Sequence, residues 1–264
     1  LFTQNFTSAT DTYNTAVGFN AGALVTVGLR NTIIGGLTGD ALTDADDNTA
    51  IGTQALSADT LGSGSTAIGQ GALGSQNFTG ATTTYNTAVG HQAGVGISTG
   101  IQNSIFGANA GDALTDADYN VAIGSFALTA DTKGGKNIAI GHSALGTQNL
   151  TSSTDVYNVA IGHQAGVAIT TAGTNTIIGG LAGATMTAAG SSNVILGFQA
   201  GNVVTTPSNT FLGTRAGATM TTGEKNTILG RYDGNQQGLD MRTASNHIIL
   251  SDGDGHPRAR HNNS

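Results

Sequence analysis

The residues best equipped for chemistry in this chain are aspartates grouped in two loops. Asp40-Ala-Leu-Thr-Asp44-Ala-Asp46-Asp47 and Asp112-Ala-Leu-Thr-Asp116-Ala-Asp118 repeat each other through the Ala-Asp pair. Hard carboxylate oxygens at short spacing suit Ca²⁺, which makes Asp44, Asp46, Asp47, Asp116 and Asp118 candidate ligands. The spacing is not that of an EF-hand loop, and the corresponding third stretch reads Ala184-Thr-Met-Thr-Ala188. Solvated turn residues are therefore the preferred reading, as they are for Asp252-Gly-Asp254-Gly near the end. His91, His142 and His163 each follow a glycine at the same place in a repeated word. Set around a threefold axis they could hold a metal or an anion; read singly they are surface residues. No Ser-His-Asp order or paired-carboxylate motif stands out. Two carboxylates facing across a groove would suffice for glycoside hydrolysis, but 5% aromatic residues and no Trp leave few platforms for sugar rings. The expectation is no enzyme, no cofactor and no bound metal.

The element that must position these residues is a repeat. The word Asn-Thr-Ala-Ile-Gly, with variations, starts at Asn14, Asn31, Asn48, Ser65, Asn86, Asn103, Asn120, Asn137, Asn158, Asn175, Asn193, Asn209, Asn226 and Asn246. A fixed short period of this kind signals a stacked array. Counting the Asn as position zero, position three is apolar throughout (Val17, Ile34, Ile51 and onward to Ile249). Position four is Gly except in the last copy, where it is Leu250. Position eight alternates Gly22, Gly39, Leu56, Leu73, then Gly94, Gly111, Leu128, Leu145. Three steps of seventeen and one of twenty-one make a super-repeat of seventy-two residues, Asn14 to Asn86 to Asn158. The resulting organisation is a partial coil at 1–13, a repeat solenoid at 14–230 (super-repeats 14–85, 86–157 and 158–230) and a capping or connecting segment at 231–264.

No segment carries apolar residues at sustained helical spacing. The β-branched centre of each word, closed by Gly, predicts one short strand per coil. The fold class expected is all-β: a parallel β-solenoid of about fourteen coils, stacked at ~4.8 Å into a rod of about 65 Å. Asn14, Asn31, Asn48, Asn86, Asn103, Asn120, Asn137, Asn158 and Asn175 would form a structural ladder, each amide bonding its copy above and below. Gly at position four would permit a sharp corner or a close approach of neighbouring backbone. Positions two (Ala16, Ile33, Ala50, later Ile248) and three point to opposite faces of a strand. Both are apolar, so both call for burial, and a second surface is needed for one of them. A parallel homotrimer supplies it; a wider flattened coil that buries both faces itself is the alternative.

Composition narrows the class further. With 41 Gly, 2 Pro and 9% charged residues, the chain suits stacked turns rather than a disordered linker. There is no Cys, so neither a disulfide frame nor a thiolate metal site is available. The net charge of −7 argues against nucleic-acid binding, although six of nine basic residues follow position 214. No apolar run is long enough to cross a membrane, and no membrane insertion is expected. Leu1-Phe2-Thr3-Gln4-Asn5-Phe6-Thr7 aligns with Leu73–Thr79 and Leu145–Thr151, so the chain is expected to begin inside a coil and to continue an upstream segment.

These runs of Asn-Thr-Ala-Ile-Gly-x-x-Ala-Leu resemble repeats in tail-fibre and appendage proteins of bacteriophages. They are also similar to the Ala-Ile-Gly repeats in the heads of trimeric autotransporter adhesins, which are trimeric left-handed β-rolls with a shorter period. The segment Asn246-His-Ile-Ile-Leu-Ser-Asp-Gly-Asp-Gly-His-Pro-Arg-Ala-Arg260 resembles the stretch before an endosialidase-type intramolecular chaperone, which trimerises phage fibres and cuts itself off after a serine. That resemblance implies a processed terminus at Ser264. It further implies a structural protein of a phage tail fibre, outside the cell, with itself, other tail or fibre proteins and a host-surface receptor as partners. A bacterial adhesin head is the second reading and a polysaccharide-degrading tailspike the third.

Overall fold

The structure, a computed structural model, describes residues 3–187 and 190–262; Ser264, the expected processed end, lies outside the described residues. The chain divides into two compact units, Leu1–Gly135 with Thr151–Ser153, and Lys136–Leu150 with Thr154–Ser264. Each is a parallel β-solenoid, and no helix occurs among the described residues.

In the first unit seven three-residue strands, one per coil, follow one another: Thr15–Val17, Thr32–Ile34, Thr49–Ile51, Thr66–Ile68, Thr87–Val89, Ser104–Phe106 and Val121–Ile123. Each pairs in parallel with the next so that like positions face like: Thr15 with Thr32, Ala16 with Ile33, Val17 with Ile34, and so on up the stack. The second unit repeats the plan with Ile138–Ile140, Val159–Ile161, Thr176–Ile178, Val194–Leu196, Thr210–Leu212, Thr227–Leu229 and His247–Ser251. An antiparallel strand, Pro257–Asn262, then folds back on the last of these.

Each strand is short because its sequence ends it. The Gly at position four takes φ near +130°, as Gly69 does at +132°, a region that a side chain resists. The corner is also crowded: a Cβ on Gly69 would lie 2.3 Å from the carbonyl oxygen of Gly90, one coil on, and a Cβ on Gly18 equally close to that of Gly35. Glycine is thus required at position four on both grounds that the sequence suggested, corner and close approach. Position six is a left-handed corner, occupied by Asn20, Leu37 and Gln54, and the residue before the Asn is another, occupied by Tyr13, Arg30 and Asp47.

The last coil corrects the sequence alignment by one residue. Thr227 pairs with Ile248, Ile228 with Ile249 and Leu229 with Leu250. His247, not Asn246, therefore stands at position zero, and Asn246 takes the left-handed corner before it with φ of 64°. Ile249 becomes the buried position-two residue, and Ser251 replaces the glycine. This coil begins 21 residues after Asn226, the length of the long step elsewhere.

The Gly-Gly-Leu-Leu alternation is an exchange of core volume. Where position eight is Gly, position eleven is apolar and fills the space: Gly39 with Leu42, Gly94 with Ile97, Gly111 with Leu114. A Cβ on Gly111 would sit 2.9 Å from Leu114 and 3.1 Å from Ile105. Where position eight is Leu (Leu56, Leu73, Leu128, Leu145), position two is Ala and position eleven turns polar: Asp59, Gln76, Asp131 and Gln148, all buried.

Candidate functional site: an exposed sheet face on a polar-braced stack

Positions two and three separate in the structure as their alternation demands. Ile33 at position two is 0% exposed while Ile34 beside it is 36% exposed, and Val17 reaches 58%. Phe106, Ile123, Leu196, Leu212 and Leu229 continue the outward apolar column in their units. Position one runs alongside as Thr15, Thr32, Thr49, Thr66 and Thr87, partly exposed. The coil does not bury this face itself, so the flattened-coil alternative fails. What each unit presents is a regular strip of apolar side chains flanked by the position-one column, one row per coil.

Behind that strip the Asn column is buried, and its bonding differs from the expected amide-to-amide ladder. The side-chain oxygen of each Asn accepts the backbone N–H of position zero in the next coil: Asn48 N–H to Asn31 at 3.0 Å, Asn103 to Asn86 at 2.9 Å, Asn120 to Asn103 at 2.9 Å, Asn158 to Asn137 at 3.2 Å, Asn175 to Asn158 at 3.0 Å. The side-chain NH₂ donates across its own coil, to the carbonyl fourteen residues on: Asn14 to Gly28 at 2.7 Å, Asn31 to Ala45 at 2.7 Å, Asn103 to Ala117 at 2.8 Å. One side chain therefore closes its own coil and ties it to the next. Amide-to-amide contacts are longer, 3.3 Å between Asn31 and Asn14. A backbone N–H or carbonyl stranded in the core costs about 1–3 kcal/mol, which accounts for the residue type.

A second buried polar cluster carries the long coil. The Asp59 carboxylate accepts the N–H of Gly62 (3.1 Å), the N–H of Phe78 (3.1 Å) and the Gln76 amide (2.6 Å). Gln76 donates also to Ser65 at 2.8 Å and accepts from Asn86 at 2.9 Å. Ser65 and Thr84 share a 2.6 Å hydroxyl contact. Asp59 and Gln76 thus anchor both ends of the four-residue insertion. Asp131 and Gln148 occupy the same positions one super-repeat later, with Gly134 N–H to Asp131 at 3.0 Å and Asn158 to Gln148 at 2.9 Å. The signal for them was in the sequence: a polar residue three after each position-eight Leu.

Aspartate side chains of both loops bond to neighbouring coils. Asp46 accepts the Leu29 N–H at 2.7 Å and Asp118 the Ile101 N–H at 2.8 Å, each capping the preceding coil. Asp47 forms a two-pronged pair with Arg30 at 2.6 and 2.8 Å, which lowers its carboxyl pKa. Asp44 is exposed. The Asp116 pKa is also lowered: burial pushes it up, but a Thr115 hydroxyl, Lys133 and Ser153 outweigh this. Among the described residues no three His, Asp or Glu side chains converge as a metal site. Of the histidines, His142 and His163 stack with ring centroids 5.4 Å apart and planes 13° apart, while His91 lies in the other unit. The terminal turn is held by Asp252, whose pKa falls to about 2. Its burial works upward and is overcome by the backbone N–H groups of His256 and Asp254 and the Arg258 guanidinium.

Comparison with family models, with curated proteins and with solved structures gives no match for this chain.

Proposed function

We propose that the chain is a structural segment of a phage tail fibre, a rigid parallel homotrimer that takes part in host attachment. The observation that supports this reading is the outward strip of position-three side chains, repeated row by row in each unit and left uncovered by the single chain. Contiguous apolar strips of this extent mark assembly surfaces in soluble proteins. Identical copies arranged cyclically cover it with one interface type. The interior supports a scaffold rather than a catalyst: the Asn column and the Asp59–Gln76 cluster are engaged in coil closure and stacking. Force and position pass along hydrogen-bonded coils, while the loops are free to meet a surface.

The test is the mass in solution. Light scattering is expected to give about 79 kDa, three times the 26.2 kDa chain. Replacing Ile51 and Ile68 together by Lys should reduce this to one chain with the coil fold intact by circular dichroism. A monomeric parent chain would refute the assembly. An antibody against the chain should label fibres on phage particles; labelling of a bacterial envelope instead would refute the phage assignment in favour of the adhesin.

A further inference from the structure

Uniform coils create a difficulty for any assembly through the exposed strip. The rows Thr49/Ile51 and Thr66/Ile68 are interchangeable, so two copies could slide by one coil, about 4.8 Å, and keep nearly all their apolar contacts. Registers are poorly specified in such uniform strands. Something outside the two columns has to mark the level.

The flanks of the strip do carry marks. The corner residue before position zero is Tyr in only four coils, Tyr13, Tyr85, Tyr119 and Tyr157, and all four rings are exposed, Tyr13 by 74%. Each adopts a left-handed φ of 50° to 61°, uncommon for a bulky residue. The corner does not require an aromatic, since Arg30, Asp47 and Gln102 take the same conformation in other coils. On the opposite flank, position five carries a ring in three of those four coils: Phe19, His91 and His163, all exposed. Tyr13 with Phe19, Tyr85 with His91 and Tyr157 with His163 recur every seventy-two residues.

We propose that these rings set the axial register of the assembled chains, the Tyr of one copy packing on the Phe or His of the same coil in its neighbour. The inference rests on the parallel homotrimer. In a cyclic assembly the starting flank of one strip meets the ending flank of the next at equal height, a heterologous contact. Aromatic pairs favour offset or edge-on packing beyond simple burial. A slip of one coil sets Tyr13, Tyr85 and Tyr157 against Gly36, Ala108 and Gly180 and leaves one ring pair, Tyr119 with His142, in place of three; the opposite slip leaves only Tyr157 with His142. Within the first unit a slip of four coils restores one ring pair, Tyr13 with His91, but uncovers four of its seven rows. Ring pairs and full overlap together select a single register.

The chain has no cysteine, so introduced thiols report alone. Asp47→Cys with Thr53→Cys places one thiol on each flank of the same coil; Asp47→Cys with Gln70→Cys reads a one-coil slip. With the tyrosines intact, a short bis-maleimide should join the first pair into covalent trimers and leave the second pair unjoined. Replacing Tyr13, Tyr85 and Tyr157 by Ser should keep the trimer mass while the slipped product rises to a level comparable with the in-register one. A trimer whose slipped product stays absent after those replacements overturns the register role alone. A monomeric mass for the parent chain removes the trimer and this inference with it.

Discussion

Replacing Gly69 by Ala probes the feature on which stacking depends most. The new methyl carbon would lie 2.3 Å from the Gly90 carbonyl oxygen and 2.6 Å from its carbon, with φ at +132°. The conformation alone costs about 1–3 kcal/mol for a residue other than glycine. Relief of the overlap requires the two coils to part at this corner, where Gly90 N–H meets Ile68 O at 2.8 Å and Gln92 N–H meets Gln70 O at 2.8 Å. Losing those two bonds adds about 1–3 kcal/mol. The total, about 2–6 kcal/mol, is a large share of the ~5–15 kcal/mol that typically holds a domain together. Gly80→Ala is the matched control: nothing lies within 4 Å of its added carbon, so it should change stability by less than about 1 kcal/mol. Denaturant unfolding followed by circular dichroism compares the two. If the Gly69 variant unfolds within about 0.5 kcal/mol of the parent, at the level of an ordinary surface substitution, backbone contact at position four does not determine the stacking.

Asn103→Ala should cost about 2–5 kcal/mol, because it strands the Asn120 N–H and the Ala117 carbonyl together; chemical denaturation measures it. Asp59→Ala removes the acceptor of the Gly62 and Phe78 N–H groups and of Gln76. It should destabilise by about 3 kcal/mol or more and open the 77–84 loop to proteolysis, read by mass spectrometry of early fragments. Acid should loosen the terminal hairpin locally. The Asp252 carboxyl has a folded pKa of about 2, below its ordinary 3.8, so the stability it lends is full above about 4 and lost as pH falls through about 2. Amide exchange at Ile248–Leu250 should accelerate across that window, and Asp252→Asn should abolish the change.

The period, the one-strand coil and the parallel stacking were legible because they depend on residue type: a β-branched centre and a glycine wherever another coil stacks on that corner. The last coil misled because Asn246-His-Ile-Ile-Leu looks like another copy of the word. The Asn column asks only a backbone N–H of the coil above it, which His247 supplies to Asn226 at 3.0 Å. The left-handed corner meanwhile accepts Asn readily, so the frame could move by one without breaking a bond. The amide ladder is present in part, at 3.2–3.3 Å between Asn14 and Asn31, Asn86 and Asn103, Asn158 and Asn175, and Asn175 and Asn193, and the shorter bonds to backbone were not foreseen. Aligned amides suggest pairing with one another, whereas unsatisfied backbone groups inside a coil compete for the same atoms and prevail. Asp59 and Gln76 escaped notice because polar residues in a loop-rich sequence look like surface, although their spacing from the position-eight Leu puts them where Leu42 or Ile97 stands in other coils. The aspartate loops were legible as turns, and Asp46 and Asp118 have the further task of capping a neighbouring coil.

The exchange between positions eight and eleven has a consequence for inheritance. Each of the first two four-coil blocks contains both halves of the compensation, Gly39 with Leu42 and Leu56 with Asp59 in one and Gly111 with Leu114 and Leu128 with Asp131 in the next, so the interior of such a block does not depend on how many blocks precede or follow it. A recombination event that adds or removes one block leaves every remaining side chain with familiar neighbours. Length can then change in jumps of about 19 Å without a compensating mutation, so a gene of this kind can adjust reach by copy number while its folding chemistry stays constant.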